Sequence, residues 1–246
     1  MKFLIVIPTY NEIQNLKGLT EAVFQVVDSK AHLYGVTKVD VLIVDDNSPD
    51  GTGKLADELA KTFPLRVIHR PCKEGIGKAY VQVFTELRAL PEKNQPEFVI
   101  QMDADLSHDP HDIPRFIEKI KSCDIVLGSR YTTGGNIENW DLFRRLISRF
   151  GNIYATLLLG LPYKDVTSGY KCFRFDALKT LDFKAISSIG YNFQIELTYY
   201  AHKKGCQICE IPIIFTERRM GTSKFNLGII LESFWKVLFL RFKKTL

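Results

Sequence analysis

The hydrophobic residues follow two alternating patterns along the first half of the chain. Short continuous apolar runs, typical of strands buried on both faces, alternate with longer segments that repeat apolar residues every three or four positions, as amphipathic helices do. In chain order these patterns predict strand 2–8, helix 12–28, strand 39–46, helix 52–63, strand 65–70, helix 76–90 and strand 97–103. Asn11 is expected to cap the first helix. This alternation predicts an α/β fold, a mainly parallel open sheet with helices on both faces.

The second half of the chain is less regular. Its patterns predict strand 124–131, helix 141–159, strand 167–175, helix 191–205 and a strand from residue 206 that opens into a basic loop. The last segment repeats apolar residues at helical spacing but interrupts them with charges, which predicts an amphipathic helix. We therefore expect a domain over 1–225 and an amphipathic helix over 226–246.

The composition is that of an ordinary globular protein. A chain of 246 residues with 46% hydrophobic and 25% charged residues is long enough for a well-buried domain. The net charge of +5 fits a small anion or an acidic membrane surface. It is too small for the basic clustering of a nucleic-acid-binding protein, so no nucleic-acid partner is expected.

The N-terminus and the cysteines bear on the compartment. The apolar run that opens the chain is short and ends at Pro8 without a cleavage site, so it is interpreted as a strand rather than a signal peptide. The five cysteines are scattered and odd in number, and we expect reduced thiols in a cytoplasmic protein. Cys206 and Cys209 have no second pair or nearby histidines, which favours core thiols over a zinc site.

The two common nucleotide-binding motifs are missing. A dinucleotide-binding fingerprint, G-x-G-x-x-G, would follow the first strand, where the chain has PTYNE instead. The later GIGKAY segment has only two of the three glycines. It also fails as a phosphate-binding loop, because Ala79 follows Gly77 and Lys78. These absences argue against a dehydrogenase and an ATPase.

Two acidic residues directly follow the fourth predicted strand. Asp103 and Asp105 lie where ligands bind in open α/β sheets, although an isolated D-x-D can also be a solvated turn. Mg²⁺ or Mn²⁺ is commonly held by one or two carboxylates together with substrate phosphates. His108 and His111 are close enough to raise the alternative of zinc, but we expect them to flank the next helix.

Seven short motifs occur in an order that matches one enzyme family. They are IPTYNE (7–12), VDDNSPDGT (44–52), MDADLSH (102–108), GSRY (128–131), RRLISR (144–149), DVTSGYKCFR (165–174) and ERRMGTSK (217–224). Together they resemble the family 2 inverting glycosyltransferases with a GT-A fold and, within them, the dolichyl-phosphate (polyprenyl-phosphate) mannosyltransferases. The resemblance covers about residues 2–225. It implies a nucleotide-sugar site at the carboxyl ends of the strands.

The resemblance implies a donor site at these strand ends. It assigns the nucleoside to Pro8, Tyr10, Glu12, Val44 and Asp46, the metal and diphosphate to Asp103, Ala104 and Asp105, and a further grip on the diphosphate to Arg218 and Lys224. Carboxylates accept hydrogen bonds from ribose hydroxyls and base N–H groups, as such a site requires. Some relatives carry Gln where this chain has Ser107, so a water is an alternative ligand at that place.

The resemblance also implies a site for a lipid phosphate, formed by Arg130, Arg144 and Ser148. Arg144 and Ser148 are four residues apart and therefore share one face of the predicted helix. Arg145 and Arg149 are interpreted as a solvated face of the same helix. Asp165 and Ser168 are expected to support the site or contact the acceptor.

The implied reaction transfers mannose from GDP-mannose to a polyprenyl (dolichyl-type) monophosphate with inversion. Asp105, Arg130 and Arg144 are its expected catalytic residues, with Mg²⁺ or Mn²⁺ as cofactor. A phosphate monoester, with a second pKa of about 6, is already anionic at neutral pH and needs no catalytic base. The alternatives are the same chemistry with UDP-glucose, transfer to a saccharide hydroxyl, and a non-catalytic sugar-nucleotide-binding subunit.

A lipid acceptor requires contact with a membrane. No run of about 18 uninterrupted apolar residues is present, which argues against a spanning helix. The C-terminal helix is expected either to lie in the membrane interface or to pack on the domain or a partner. The protein is thus expected at the cytoplasmic face of a membrane, as a peripheral protein, and the sequence identifies no protein partner.

Overall fold

The computed structural model describes residues 1–188, 190–217 and 227–243. Its strands are β1 (Lys2–Thr9), β2 (Lys38–Asp45), β3 (Leu65–His69), β4 (Phe98–Gln101), β5 (Ile125–Ser129), β6 (Asn136–Glu138), β7 (Lys171–Arg174), β8 (Ile208–Pro212) and β9 (Ile214–Thr216). Its helices are α1 (Ile13–Lys30), α2 (Thr52–Leu59), α3 (Ile76–Ala89), α4 (Ile113–Lys119), α5 (Leu142–Leu159), α6 (Phe175–Lys179), α7 (Tyr191–Lys203) and α8 (Leu227–Phe242).

Seven strands form one sheet in the order β3-β2-β1-β4-β7-β5-β8. All neighbouring pairs are parallel except those of β7, which runs antiparallel to both β4 and β5. A separate two-stranded ribbon pairs β6 with β9. The prediction of a mainly parallel α/β sheet is confirmed.

A hydrophobic core lies on each face of the sheet, because successive side chains of a strand point to opposite faces. Along β1, Ile5 and Ile7 belong to the core that α1, α2 and α4 cover, whereas Leu4 and Val6 belong to the core beneath α3, α5 and α7. With both faces covered, ligands are left with the edge where the parallel strands end.

The first helix begins differently from the expectation. Asn11 has a positive φ of 61° and no capping bond to α1. Instead, Asp50 of the next loop accepts a hydrogen bond from the Ile13 backbone N–H, and Thr52 Oγ1 accepts one from that of Glu12. The cap therefore comes from a loop nearly forty residues away, which ties the ends of β1 and β2 together.

Over residues 233–243, where its side chains are described, helix α8 packs on the domain through one side and exposes the other. Val237 and Leu240 are buried in the second core, and Tyr154 of α5 stacks on Phe234 with ring centroids 4.4 Å apart. Phe239 and Phe242 are 71% and 75% exposed. None of the helices within the described residues is long and apolar enough to cross a membrane. The predicted division at residue 225 stays a prediction.

The expectation that the thiols are all reduced is wrong. Cys123, just before β5, and Cys209, in β8, form a disulfide whose Cα atoms are 6.2 Å apart. The parallel pairing of β5 with β8 places Val126 beside Cys209 and so brings the two cysteines together across 86 residues. Cys206 is not part of this bond. Cysteine usage therefore does not support the predicted compartment.

Candidate active site

The acidic residues of the sequence motifs meet at one edge of the sheet. Asp45 ends β2, and its carboxylate accepts hydrogen bonds from Thr9 Oγ1 at 3.0 Å and from the Ser48 hydroxyl at 2.6 Å. Asp103 and Asp105 follow β4, which is the neighbour of β1 on the side away from β2. Parallel strands end at the same edge, so these loops form one cleft.

The residues predicted to hold the nucleoside contribute in different ways. Val44 is fully buried in the core, so only its backbone can face a ligand. Tyr10 and Pro8 are partly exposed at the end of β1, and the Lys73 ammonium lies 3.6 Å from the centre of the Tyr10 ring. Glu12 accepts a hydrogen bond from the Asn15 side chain at 2.8 Å, at the start of α1.

Asp46 is buried inside a network that sequence reasoning missed. Its carboxylate pairs with the Arg70 guanidinium and accepts hydrogen bonds from the backbone N–H groups of Glu74 and Gly75 at 3.3 and 3.1 Å. Arg70 also donates to the side chains of Gln82 and Glu74. Asp46 thus joins the loop after β2 to the loop after β3. Its predicted contact with the nucleoside stays a prediction.

The predicted metal-binding acids occupy different surroundings. Asp105 is buried, and one of its oxygens accepts hydrogen bonds from the Ser107 backbone N–H at 3.1 Å and the Ser107 hydroxyl at 2.5 Å. The Asp103 side chain is 29% exposed, and Ala104 between them is buried. Ser107 therefore orients Asp105, and the water expected as an alternative ligand at this place stays a prediction.

The donor set fits a hard divalent cation that also binds phosphate. Among the described residues, no three His, Cys, Asp or Glu side chains form a group able to hold a metal by themselves. Mg²⁺ and Mn²⁺ accept an arrangement of two carboxylates completed by phosphate oxygens, whereas structural zinc requires four protein ligands. The predicted diphosphate-binding residues Arg218 and Lys224 lie outside the described residues.

His108 supports the acidic loop instead of flanking the next helix as expected. Its Nδ1 accepts a hydrogen bond from the Asp103 backbone N–H at 3.0 Å, which leaves the proton on Nε2, 3.8 Å from Asp103 Oδ2. Burial lowers the pKa of His108 to about 4, although the Asp105 charge opposes the shift, so the ring is neutral at pH 7. His111 does precede α4, in a short turn that Asp109 caps.

Arg130 is held by a buried carboxylate. Its Nε and Nη2 donate to the two oxygens of Asp165 at 2.7 and 2.9 Å, and its backbone N–H donates to the same group. Burial alone would raise the pKa of Asp165, but the charge and hydrogen bonds of Arg130 keep it below its usual value. Asp165 is thus a structural support, one of the two roles expected for it, and its partner is Arg130.

Arg144 and Ser148 both face inward from α5. Arg144 Nη1 donates to the Glu217 carboxylate, and its guanidinium carbon lies 4.1 Å from the centre of the Trp140 ring. The Ser148 hydroxyl accepts a hydrogen bond from Tyr131 at 2.8 Å. The shared face predicted from their spacing is present, and the Arg144 side chain is only 15% exposed.

The face of α5 that carries Arg145 and Arg149 borders a cavity of about 350 Å³. Its lining residues are Arg130, Tyr131, Gly135, Asn136, Ile137, Leu142, Arg145, Leu146 and Arg149. Arg145 and Arg149 are exposed, as the sequence predicts, but they also form the cationic wall of this cavity. None of the described residues that line it is acidic, so the cavity suits an anion with an apolar part.

Phe215 of β9 connects the acidic loop to the cationic cluster. Its ring centre is 5.8 Å from that of His108, 5.5 Å from that of Trp140, and 5.4 Å from the Arg130 guanidinium carbon. The ring of Phe215 therefore contacts both His108, which supports the loop of the two carboxylates, and the cluster that contains Arg130 and Trp140. Such an arrangement can bind two anionic substrates next to each other.

The family of the chain follows from comparison with known proteins. The model described as Glycosyl transferase family 2 matches residues 4–182, and the chain belongs to this family. It is an enzyme family of glycosyltransferases, as the sequence motifs indicated.

Two curated relatives are similar over nearly the whole chain. The undecaprenyl-phosphate mannosyltransferase of Micrococcus luteus is 42% identical over 234 residues, covering 95% of this chain and 91% of the relative. The polyprenol monophosphomannose synthase of Mycolicibacterium smegmatis is 40% identical over 237 residues, covering 95% of this chain and 84% of the relative.

Solved structures share the architecture at low sequence identity. Glucosyl-3-phosphoglycerate synthase from Mycobacterium tuberculosis, in complex with Mn²⁺, uridine diphosphate and phosphoglyceric acid, has a TM-score of 0.68 and 16% identity, over 99% of this chain and 79% of that one. Its complex with Mn²⁺, UDP-glucose and phosphoglyceric acid gives a TM-score of 0.62 and 18% identity, over 98% and 79%. The likeness identifies the fold as GT-A.

Proposed function

We propose that the protein transfers mannose from GDP-mannose to the phosphate of a polyprenyl monophosphate, with inversion at the sugar carbon. An acceptor phosphate oxygen bonds to the anomeric carbon from the side opposite the diphosphate, and the bond from that carbon to the diphosphate breaks as GDP leaves. The observation that carries this proposal is the closeness of an acidic loop to a cationic cluster across Phe215. The names of the two bacterial relatives support the mannose and the polyprenyl phosphate.

The donor half has the groups that a sugar nucleotide needs. A divalent cation held by Asp103, Asp105 and the donor phosphate oxygens would neutralise charge on the leaving diphosphate. Ser107 fixes the orientation of Asp105, and His108 fixes the backbone of Asp103. These supports keep the acids in place before the donor arrives, so little reorganisation is needed during the reaction.

The acceptor half has cations and requires no base. Arg130 is oriented by Asp165, and the Arg144 guanidinium is oriented by its stacking on Trp140. A guanidinium group suits phosphate oxygens geometrically, and the acceptor phosphate is largely deprotonated at neutral pH. The contribution of these residues is to hold two negative groups close together despite their repulsion.

Helix α5, which carries Arg144, and helix α8, which packs on it, also expose apolar residues that suit a lipid. On α5, Leu142, Phe143, Leu146, Phe150 and Leu157 are exposed, and on α8, Trp235, Phe239 and Phe242 are exposed. Arg145, Arg149 and Arg241 lie among them. Exposed apolar residues mixed with basic ones suit the interface of a membrane with anionic lipids. We propose that α5 and α8 rest on the membrane beside the acceptor site.

A donor panel tests this function. Purified protein is incubated with a short polyprenyl phosphate, with Mg²⁺ or Mn²⁺, and with GDP-mannose, UDP-glucose or another sugar nucleotide, and the lipid-linked sugar is quantified. We expect product from GDP-mannose and its loss when the metal is chelated. Transfer from UDP-glucose alone would favour the alternative of a glucosyltransferase, and no transfer from any donor would favour a binding subunit.

A further inference from the structure

Glu217 is held in place by the short ribbon beside the acceptor site. Its backbone N–H donates to the carbonyl of Glu138 at 3.2 Å, which continues the pairing of β6 with β9 by one residue. Its carboxylate accepts a hydrogen bond from Arg144 Nη1. The Arg144 backbone is fixed separately, because the Asp141 side chain accepts a hydrogen bond from its N–H at 2.9 Å. The ribbon and the helix thus each deliver one partner of this ion pair.

The Glu217 carboxylate contacts Arg144, the same arginine that the proposed function assigns to the acceptor phosphate. The Glu217 side chain is 34% exposed, so it can exchange its contact for water. A phosphate that binds the same edge of the Arg144 guanidinium must either displace the carboxylate or accept its charge at hydrogen-bond range. Both possibilities weaken phosphate binding, because charge-assisted bonds are lost in one case and like charges repel in the other.

We propose that Glu217 competes with phosphate for Arg144 and thereby sets the affinity of the acceptor site for phosphate groups. This inference rests on the proposed function. The acceptor is a phosphate monoester and the product is a phosphodiester, and both carry an anionic phosphate to the same arginine. A competing carboxylate loosens both ligands, so it raises the acceptor KM and also speeds the departure of a product that would otherwise stay bound.

The test is Glu217→Gln, which removes the charge and keeps a similar shape. We expect the acceptor KM and the inhibition constant of added lipid product each to fall about two- to fivefold, in the range of a partly exposed ion pair. We expect kcat to fall if product release limits turnover and the donor KM to stay unchanged. The matched control is Glu138→Gln, which removes the same charge from the same ribbon but has no contact with Arg144.

Direct binding measurements separate this inference from the proposed function. The affinity of a short isoprenoid monophosphate is measured by calorimetry for the wild type, Glu217→Gln, Arg144→Ala and the double variant. Glu217→Gln should tighten binding in the wild-type background and have no effect once Arg144 is absent. This expectation holds whether or not mannose is transferred in the donor panel.

Two results would overturn the inference. A higher acceptor KM in Glu217→Gln would mean that Glu217 orients Arg144 for the phosphate instead of competing with it. An equal effect of Glu217→Gln with and without Arg144, or an equal effect of Glu138→Gln, would mean that only the general charge of the ribbon matters. Circular dichroism and thermal unfolding confirm that each variant is folded.

Discussion

The proposed donor and acceptor halves of the site are built by different means. The donor half is assembled from loops at the ends of parallel strands, and two of its acids are supported within their own turns: Ser107 bonds Asp105 two residues away, and Ser48 bonds Asp45 three residues away. Longer bonds from Thr9 to Asp45 and from Arg70 to Asp46 then tie these loops together. The acceptor half depends on ion pairs between distant segments. Arg130 and Asp165 are 35 residues apart, and Arg144 and Glu217 are 73 residues apart.

This difference separates two chemical problems. A leaving diphosphate requires oxygen ligands in fixed positions for a cation, which a tight loop after a strand provides. A lipid phosphate requires cations that stay charged next to an apolar surface, and buried or half-buried arginines must then be paired to be stable. Asp105 of the donor half is therefore oriented by its own turn, whereas the arginines of the acceptor half need acidic partners from elsewhere in the chain.

The largest effect should come from the donor half. Asp105→Asn is expected to reduce metal-dependent turnover by at least about a thousandfold, or ~4 kcal/mol, because the carboxylate charge facing the cation is lost. Turnover and Mn²⁺ affinity are measured together. Asp109→Asn is the matched control, since Asn can still cap the turn at His111. Normal turnover in Asp105→Asn would show that the acidic loop takes no part in the reaction.

The acceptor half should show its largest effect in stability. Asp165→Asn removes the charge of the carboxylate that pairs with the buried Arg130, and we expect a loss of about 3–5 kcal/mol in the free energy of unfolding at pH 7. Asp40→Asn, which breaks the exposed pair with Lys38, should cost about 1 kcal/mol or less. Denaturant unfolding measures both.

The pH dependence of the free energy of unfolding tests whether Asp165 stabilises the protein through its charge. The folded pKa of Asp165 is held below its usual value of 3.8, so its contribution is fully present above that value and is lost as the pH falls through the folded pKa. The stability difference between wild type and Asp165→Asn should therefore shrink in acid. A difference that stays constant from pH 7 down to pH 3 would contradict the ionic role of Asp165.

A smaller effect is expected from Arg144 of α5, the arginine that we propose binds the acceptor phosphate. Arg144→Ala should raise the acceptor KM about 10- to 100-fold, or ~1.5–3 kcal/mol, with little change in the donor KM. The loss is that of charge-assisted hydrogen bonds to one substrate. Arg66→Ala, on the edge strand at the other end of the sheet, is the control. Unchanged acceptor kinetics in Arg144→Ala would show that Arg144 does not bind the acceptor.

The smallest effect should come from the apolar surface. Phe239→Ser removes one exposed ring from α8 and should weaken binding to vesicles with anionic lipids about tenfold, or ~1.4 kcal/mol, near the lower limit for burying such a side chain. Co-sedimentation with vesicles measures it. Leu33→Ser, which changes an exposed apolar residue away from this surface, should have no effect. Equal losses in both variants would contradict a membrane-facing α8.

The sequence predicted the donor half better than the acceptor half for a physical reason. The strand preceding Asp103 and Asp105 is visible as an apolar run, and a parallel sheet then fixes which edge the two acids reach. By contrast, the partners of Arg130 and Arg144 are determined by tertiary contacts that no spacing rule encodes. The disulfide of Cys123 with Cys209 was missed for the same reason, since only the pairing of β5 with β8 brings them together.

The single reversed strand has a consequence for engineering. Because β7 is antiparallel to its neighbours, the segment that leads into it lies at the edge where ligands bind. In this segment Asp165 pairs with Arg130. Gly169 lies so near the acidic loop that an added Cβ would be 3.5 Å from Asp103 Oδ2. One stretch of chain thus borders both proposed substrate sites. We expect that a chimera which imported this stretch from a relative with another acceptor would also disturb the loop of Asp103 and Asp105, so that the two specificities could not be transplanted one at a time.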